Sequence, residues 1–383
     1  MRTLVSTLTA LIVTFAFLNF APAEAAQASS PAPAAKTEGS PKPDWEQKWE
    51  QMAASAKKEG KVVVYGNIGP LLKKNLVEGF QGKFGIEMEF VVGRPPEVAT
   101  RYLQERTGNI RMADFFIAGQ TTTTTLLKPK GVLARLRPQI ILPEVLDLKA
   151  WPEGKLPFLD KEELSLALIS YYQTSVVINT ELVKEGEVRS YHDFLNAKWK
   201  GKIILYDPSL PGAGGTWVAF TLLKAMGREA GENLMRQLSK HDLTITRDAR
   251  LHAEGVARGK YAIGIGADNQ AVSDFIRVGT PIAWGRMQEG GIIVGGTFVA
   301  ALPDNAAHPS AAALLLNWIL SKEGQQAVSQ AAGEPARRVD VPRSGLLPGI
   351  VPQPGDRVVW ADEEFILAER AFYPLSKEIF GLR

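Results

Sequence analysis

The stretch IGIGADNQAVSD, residues 263–274, ends an apolar run with two glycines one residue apart and follows them with Asp268, Asn269 and Gln270. Three chemistries use such an arrangement: a dinucleotide cradle, a metal site, or the polar wall of a small-molecule pocket. The dinucleotide fingerprint fails, because Asn269 stands where its third glycine belongs and no acidic residue closes a following strand. What remains is a strand end leading into a helix start. In open α/β sheets, ligands sit beyond the carboxyl ends of strands. Asp268 or Asn269 can also cap that helix, and the two roles can coexist.

DPSLPGAGGTW, residues 207–217, is the second candidate. Gly212, Gly214 and Gly215 permit a sharp turn, and Thr216 can cap the helix that follows. Free N–H groups and the helix dipole there favour an anion. The stretch lacks the Gly-Lys-Ser/Thr of a P-loop, so nucleotide hydrolysis is not implied. Three more strand ends point to the same region: YGNIG with Tyr65 and Asn67, VGRPP with Arg94, and AGQT with Gly119, Gln120 and Thr121. Arg94 is the side chain best suited to a carboxylate or phosphate.

No catalytic set emerges. His192, His241, His252 and His308 are scattered without metal spacing, there is no cysteine, and no Gly-x-Ser-x-Gly elbow occurs. The expectation is a protein that is not an enzyme and carries no metal or cofactor.

The elements that must position these residues alternate. KVVVYG, IEMEFVV and ADFFIAG read as strands separated by helices, an order that gives a parallel sheet with helical crossovers. SYYQTSVVINT reads as one long strand, GKIILYDP and YAIGIG as further strands, and HPSAAALLLNWILSKEGQQAVSQ as helix. One sheet holding all these strands would be unusually wide, so two α/β lobes are expected.

Composition narrows the class. The chain has 383 residues, with 45% apolar and 22% charged, as soluble globular proteins have. Its 44 basic and 41 acidic residues leave a net charge of +3, spread without a basic block, which argues against a nucleic-acid partner. At the N-terminus, Arg2 precedes an apolar run over residues 8–18 and Ala23-Glu24-Ala25 follows. That is the layout of a secretory signal peptide cleaved after Ala25 or Ala26. Residues 26–44, rich in Ala, Pro, Ser and Lys, read as a disordered leader. Without cysteine there is no disulfide and no acylated anchor, so the mature chain is expected free in the periplasm.

Several segments together carry a family likeness: GKVVVYG, ADFFIAG, VVINTELV, DFLNAKWKGKIILYDPS, VARGKYAIGIG, HPSAAALLLNWILSKEGQQAV and PARRVDVP. From about residue 45 to 340 the chain resembles an extracellular solute-binding protein of an ABC importer, family 1, near the ferric-iron binders. The resemblance implies a two-lobed periplasmic-binding fold of type II, mostly parallel sheets flanked by helices and joined by two hinge strands. It places residues 45–171 and 286–383 in lobe 1 and residues 172–285 in lobe 2, with YYQTSVVIN crossing out and residues 281–291 returning. It implies a monomer that captures a small solute and delivers it to an inner-membrane ABC permease with its ATPase, while Arg94, the glycine turn and the amide-rich strand ends favour an anionic or polar organic solute. The ferric binders carry an adjacent tyrosine pair after an Asn in the loop that corresponds to ADNQAVSD. Here Gln270 and Ala271 follow Asn269, so an iron site is not expected. Tyr171-Tyr172 is such a pair, but it stands elsewhere. A ferric binder with unfamiliar ligands, an enzyme on the same fold and a sensor remain as alternatives.

Overall fold

A computed structural model describes residues 43–296 and 298–383. The expected signal peptide, and the leader as far as residue 42, lie outside the described residues. Order in the described part begins with a helix over Asp44–Glu59.

The first sheet is built from β1 (Lys61–Gly66), β2 (Glu87–Val92), β3 (Phe115–Ala118) and β4 (Ser165–Ala167), with a late strand joining them. β1 lies between β2 and β3 and runs parallel to both. Its sequence, KVVVYG, is apolar on both faces, as a strand covered by helices on both sides requires. Alternate side chains serve two cores. Val62 and Val64 pack with Phe80, Phe115 and Trp318, while Val63 and Tyr65 pack with Tyr102 and Phe116.

SYYQTSVVINT is two strands instead of one. β5 (Tyr171–Gln173) ends before Ser175, whose φ of 59° breaks the extended run, and β6 (Val176–Asn179) belongs to a different sheet. The break is held from outside. The Ser175 carbonyl accepts from Gly266 N at 2.7 Å and from Ala267 N at 3.1 Å.

The second sheet has β7 (Ile203–Tyr206), β8 (Thr244–Thr246), β9 (Ile263–Ile265) and β10 (Ile282–Trp284) in the order β10-β6-β9-β7-β8. β9, β7 and β8 run parallel, and β6 and β10 extend the sheet antiparallel. β11 (Gly291–Val294) leads back, and β12 (Val299–Ala301) joins the first sheet between β3 and β4. β13 (Val358–Trp360) completes a third, small sheet in the order β13-β11-β5, with Ile293 opposite Tyr172. This small sheet holds the two strands that connect the larger ones.

The helix Pro309–Leu320, PSAAALLLNWIL, is buried on every side from Ala311 onward, which its uniformly apolar sequence anticipates. The C-terminal helices Glu363–Glu369 and Tyr373–Phe380 differ from the sequence division, which gave residues 286–383 to lobe 1. Phe365, Ile366, Phe372 and Ile379 are buried in the core of the second sheet, with Trp217, Phe220 and Leu234. Their amphipathic face has its complementary apolar surface there. Among the described residues no helix is long and apolar enough to cross a membrane.

Candidate functional site

The three sheets meet at a cavity of about 180 Å³. From the first sheet, the end of β3 leads through Gly119 into a short helix that presents Gln120 and Thr121. From the small sheet, Tyr171 and Gln173 project from one face of β5, as residues two apart must, with Val294 and Gly296 beside them. From the second sheet come Asp268, just past β9, Gly212 at the cap position, and Ala213 and Thr216 of the helix Ala213–Phe220. Ile366 and Glu369 of the C-terminal region close the wall.

The helix 213–220 reaches the cavity only because its glycines allow close contact. A Cβ on Gly214 would lie 2.3 Å from the Tyr206 carbonyl oxygen. Gly266, at φ 70°, packs on the same spot, where its Cβ would come within 2.7 Å of the Gly214 Cα. The two glycine motifs singled out in the sequence are therefore one contact.

The electrostatics are acidic. The lining includes the carboxylates of Asp268 and Glu369 and no lysine, arginine or histidine. Asp268 also caps its helix, accepting from Ala271 N at 2.9 Å. Burial raises the pKa of Glu369, partly offset by bonds donated from the Tyr373 hydroxyl at 2.7 Å and the Thr216 hydroxyl at 3.3 Å. Just behind the wall, Glu334 is 8% exposed and accepts from Asn269 Nδ2 at 2.8 Å. Burial pushes its pKa up to about 7, and neighbouring Asp268 adds to the effect. The Tyr171 phenol is raised by burial and then by Glu334 and Asp268, so it stays protonated and can donate. Asn269 Oδ1 is buried without a donor among the described residues. The charged groups of the lining are both acceptors, Asp268 and Glu369, and they suit a ligand that brings donors.

Of the sequence candidates, Gln120, Thr121, Thr216 and Asp268 line this cavity, and Gly119, Gly214 and Gly215 shape the backbone around it. Others are placed differently. Tyr65 faces the core, where its hydroxyl donates to Glu105 at 2.7 Å, because strand parity turns it inward. Asn67 is exposed in the loop after β1 and does not reach the lining. Arg94 has a side chain 83% exposed and is engaged by Glu97 three residues on, with Nε to Oε1 at 2.8 Å. Asn269 lies behind the wall on Glu334, and Gln270 points outward to Asp274. Thr216 lies inside its helix instead of capping it; Gly212 holds the cap position.

Tyr171, Gln173, Glu334, Ile366 and Glu369 are the residues that sequence reasoning missed. Alternation along β5 is a signal that could have flagged Tyr171 and Gln173 together. Glu369 reaches the site from a helix distant in sequence, and no local pattern marks it. Tyr172, on the opposite face of β5, donates to the Arg357 carbonyl at 3.4 Å, so the tyrosine pair does not converge on one point. Among the described residues no three His, Cys, Asp or Glu side chains are grouped to hold a metal ion.

Known proteins share this fold. A family model described as bacterial extracellular solute-binding protein matches residues 75–345. The periplasmic binding protein AfuA of Actinobacillus pleuropneumoniae, solved with fructose-6-phosphate, is 20% identical with a TM-score of 0.61, covering 84% of this chain and 97% of that one. Iron-bound HitA of Pseudomonas aeruginosa is 18% identical with a TM-score of 0.62, covering 83% and 99%. The spermidine/putrescine binding protein PotD of Streptococcus pneumoniae is 15% identical with a TM-score of 0.63, covering 84% and 99%. Proteins solved with a sugar phosphate or with iron, and one named for spermidine and putrescine, share this fold, so the fold alone does not select a ligand.

Proposed function

Because this chain belongs to the bacterial extracellular solute-binding proteins, we propose that it captures a small polar organic solute in the cavity between its three sheets. In this reading it acts in the periplasm as a monomer and hands the solute to an ABC permease and its ATPase in the inner membrane. The observation that carries the solute class is the lining, with two carboxylates, two amides, hydroxyls and no cationic side chain. A protonated amine or a polyol donates to the two carboxylates of such a wall. The anionic expectation rested on Arg94 and on the N–H groups of residues 212–216. Arg94 is exposed and paired, and the first turn of the helix already faces Glu369, whose Oε1 lies 3.0 Å from where a Gly215 Cβ would stand. About 180 Å³ is room for a compact solute, somewhat above the roughly 150 Å³ that holds a benzene-sized guest.

A thermal-shift screen of small amines, polyols, carboxylates and phosphonates tests this. Ligand at about a hundred times Kd adds about 2.7 kcal/mol to the folded state, a readable rise in Tm. Amines or polyols should give it, and Asp268→Asn and Glu369→Gln should each abolish it. If no amine or polyol shifts the wild type, or both variants respond as the wild type does, the reading fails.

A further inference from the structure

The small sheet has a second face, and a second cavity of about 360 Å³ lies against it. Neighbouring residues of β11 divide between the two: Val294 lines the acidic cavity and Ile293 lines this one, so they lie on opposite sides of the sheet. Leu156, Pro157 and Phe158, with Val359 and Trp360, give it apolar walls.

Its distinguishing feature is Arg337. The residue is 9% exposed, and its guanidinium stacks 4.1 Å from the centroid of the Trp360 ring. Its Nε is buried with no acceptor among the described residues, and none of their side chains bonds the rest of the guanidinium. The adjacent Arg338 shows what a structural arginine looks like here. It bonds both oxygens of Asp340 at 2.9 Å and the Glu144 carbonyl at 2.9 Å. A buried guanidinium left without acceptors is costly, whereas a bound carboxylate would satisfy it in fork geometry.

The other charges in the wall leave that role open. Glu153 is engaged by Lys155 at 2.5 Å, the main cause of its lowered pKa; its charge also acts on Arg337, with no hydrogen bond between the two among the described residues. Asp362 accepts from Phe365 N at 2.8 Å as a helix cap. The remaining cation of the wall, Lys224, is exposed and forms no ion pair among the described residues. Burial pulls the Arg337 guanidinium down to about 10, so it is still charged at neutral pH. We propose that this cavity is a second binding site, for a small organic carboxylate whose apolar body lies on the Leu156–Phe158 wall and whose carboxylate is held by Arg337, with Lys224 as second cation. The volume falls within the usual range for small-molecule sites, about 300–1,000 Å³.

Isothermal titration of the purified full-length protein with benzoate and hexanoate tests the site, with hexylamine and inorganic phosphate as comparisons. Benzoate or hexanoate should bind, and hexylamine should not compete. Arg337→Met, which replaces an unpaired buried charge with an apolar chain, should weaken carboxylate binding at least about tenfold. It should keep the amine or polyol response of the acidic cavity, so failure of one site is distinguishable from failure of the other. Lys224→Ala, at an exposed position that does not threaten the fold, should weaken carboxylate binding as well. The proposal is overturned if neither carboxylate binds the wild type, or if both variants bind as tightly as it does. Phosphate binding as tightly as benzoate would overturn the organic-carboxylate assignment.

Discussion

Glu334 is an acid whose surroundings oppose its charge. Burial is the main cause, the Asn269 amide and the Arg277 charge work the other way, and Asp268 adds repulsion. Its ordinary pKa of 4.5 becomes about 7 in the folded chain. Between those values the folded state holds a proton that the unfolded state has released. Stability is then full below about pH 4.5 and declines as the pH rises through about 7, by up to about 3 kcal/mol. Glu334→Gln keeps a neutral hydrogen-bonding partner for Asn269 and should flatten the decline in chemical denaturation across that window. An unchanged slope in the variant would assign the pH dependence elsewhere. Arg94 makes the opposite case. Its guanidinium is exposed and its pKa is raised by Glu97, its own helix neighbour. Arg94→Ala should therefore leave solute affinity unchanged in a titration, and a large loss would return Arg94 to the binding wall.

At the scale of elements, the contact between the helix Ala213–Phe220 and the end of β9 sets the shape of the cavity. Gly214→Ala would drive a methyl into the Tyr206 and Asp207 carbonyl oxygens, at 2.3 and 2.7 Å, and backbone cannot swing aside as a side chain can. A loss of roughly 1–3 kcal/mol in stability is expected from such overpacking, together with weaker solute binding, both read from melting curves with and without ligand. A variant that melts like the wild type and binds normally would show the helix free to shift. The glycines of both motifs were legible in the sequence; that they touch each other was not, since the approach is long-range. The strands β1 and β3 were equally legible, because KVVVYG and ADFFIAG are apolar, β-branched or aromatic runs closed by glycine. The break at Ser175 was hidden, because SYYQTSVVINT contains neither Gly nor Pro, and the bend depends on two N–H groups from residues 266 and 267. Arg94 was misplaced for a local reason that could have been read: Glu97 stands three positions on, where a capping partner belongs.

In the molecule as a whole, the last 23 residues bind the parts together more than their position at the chain end suggests. Residue 361 follows β13, which pairs with β11 of the small sheet, and the two helices beyond it fill the core of the second sheet. Phe365, Ile366, Phe372 and Ile379 are all buried there, opposite Trp217 and Phe220. Burying four such side chains stabilises by on the order of 6–12 kcal/mol, and the net stability of a whole domain is only about 5–15 kcal/mol. The same segment supplies Ile366 and Glu369 to the acidic cavity, so packing and binding depend on it together. A chain stopped after Trp360 should lose its cooperative melting transition, bind a hydrophobic dye, and show no Tm rise with any amine or polyol that stabilises the full chain. Glu369→Gln separates the two contributions: it should lose the ligand response while keeping the cooperative transition. If the shortened chain melted cooperatively within a few degrees of the full one, the second core would be complete without these helices, and their burial would be an accessory contact.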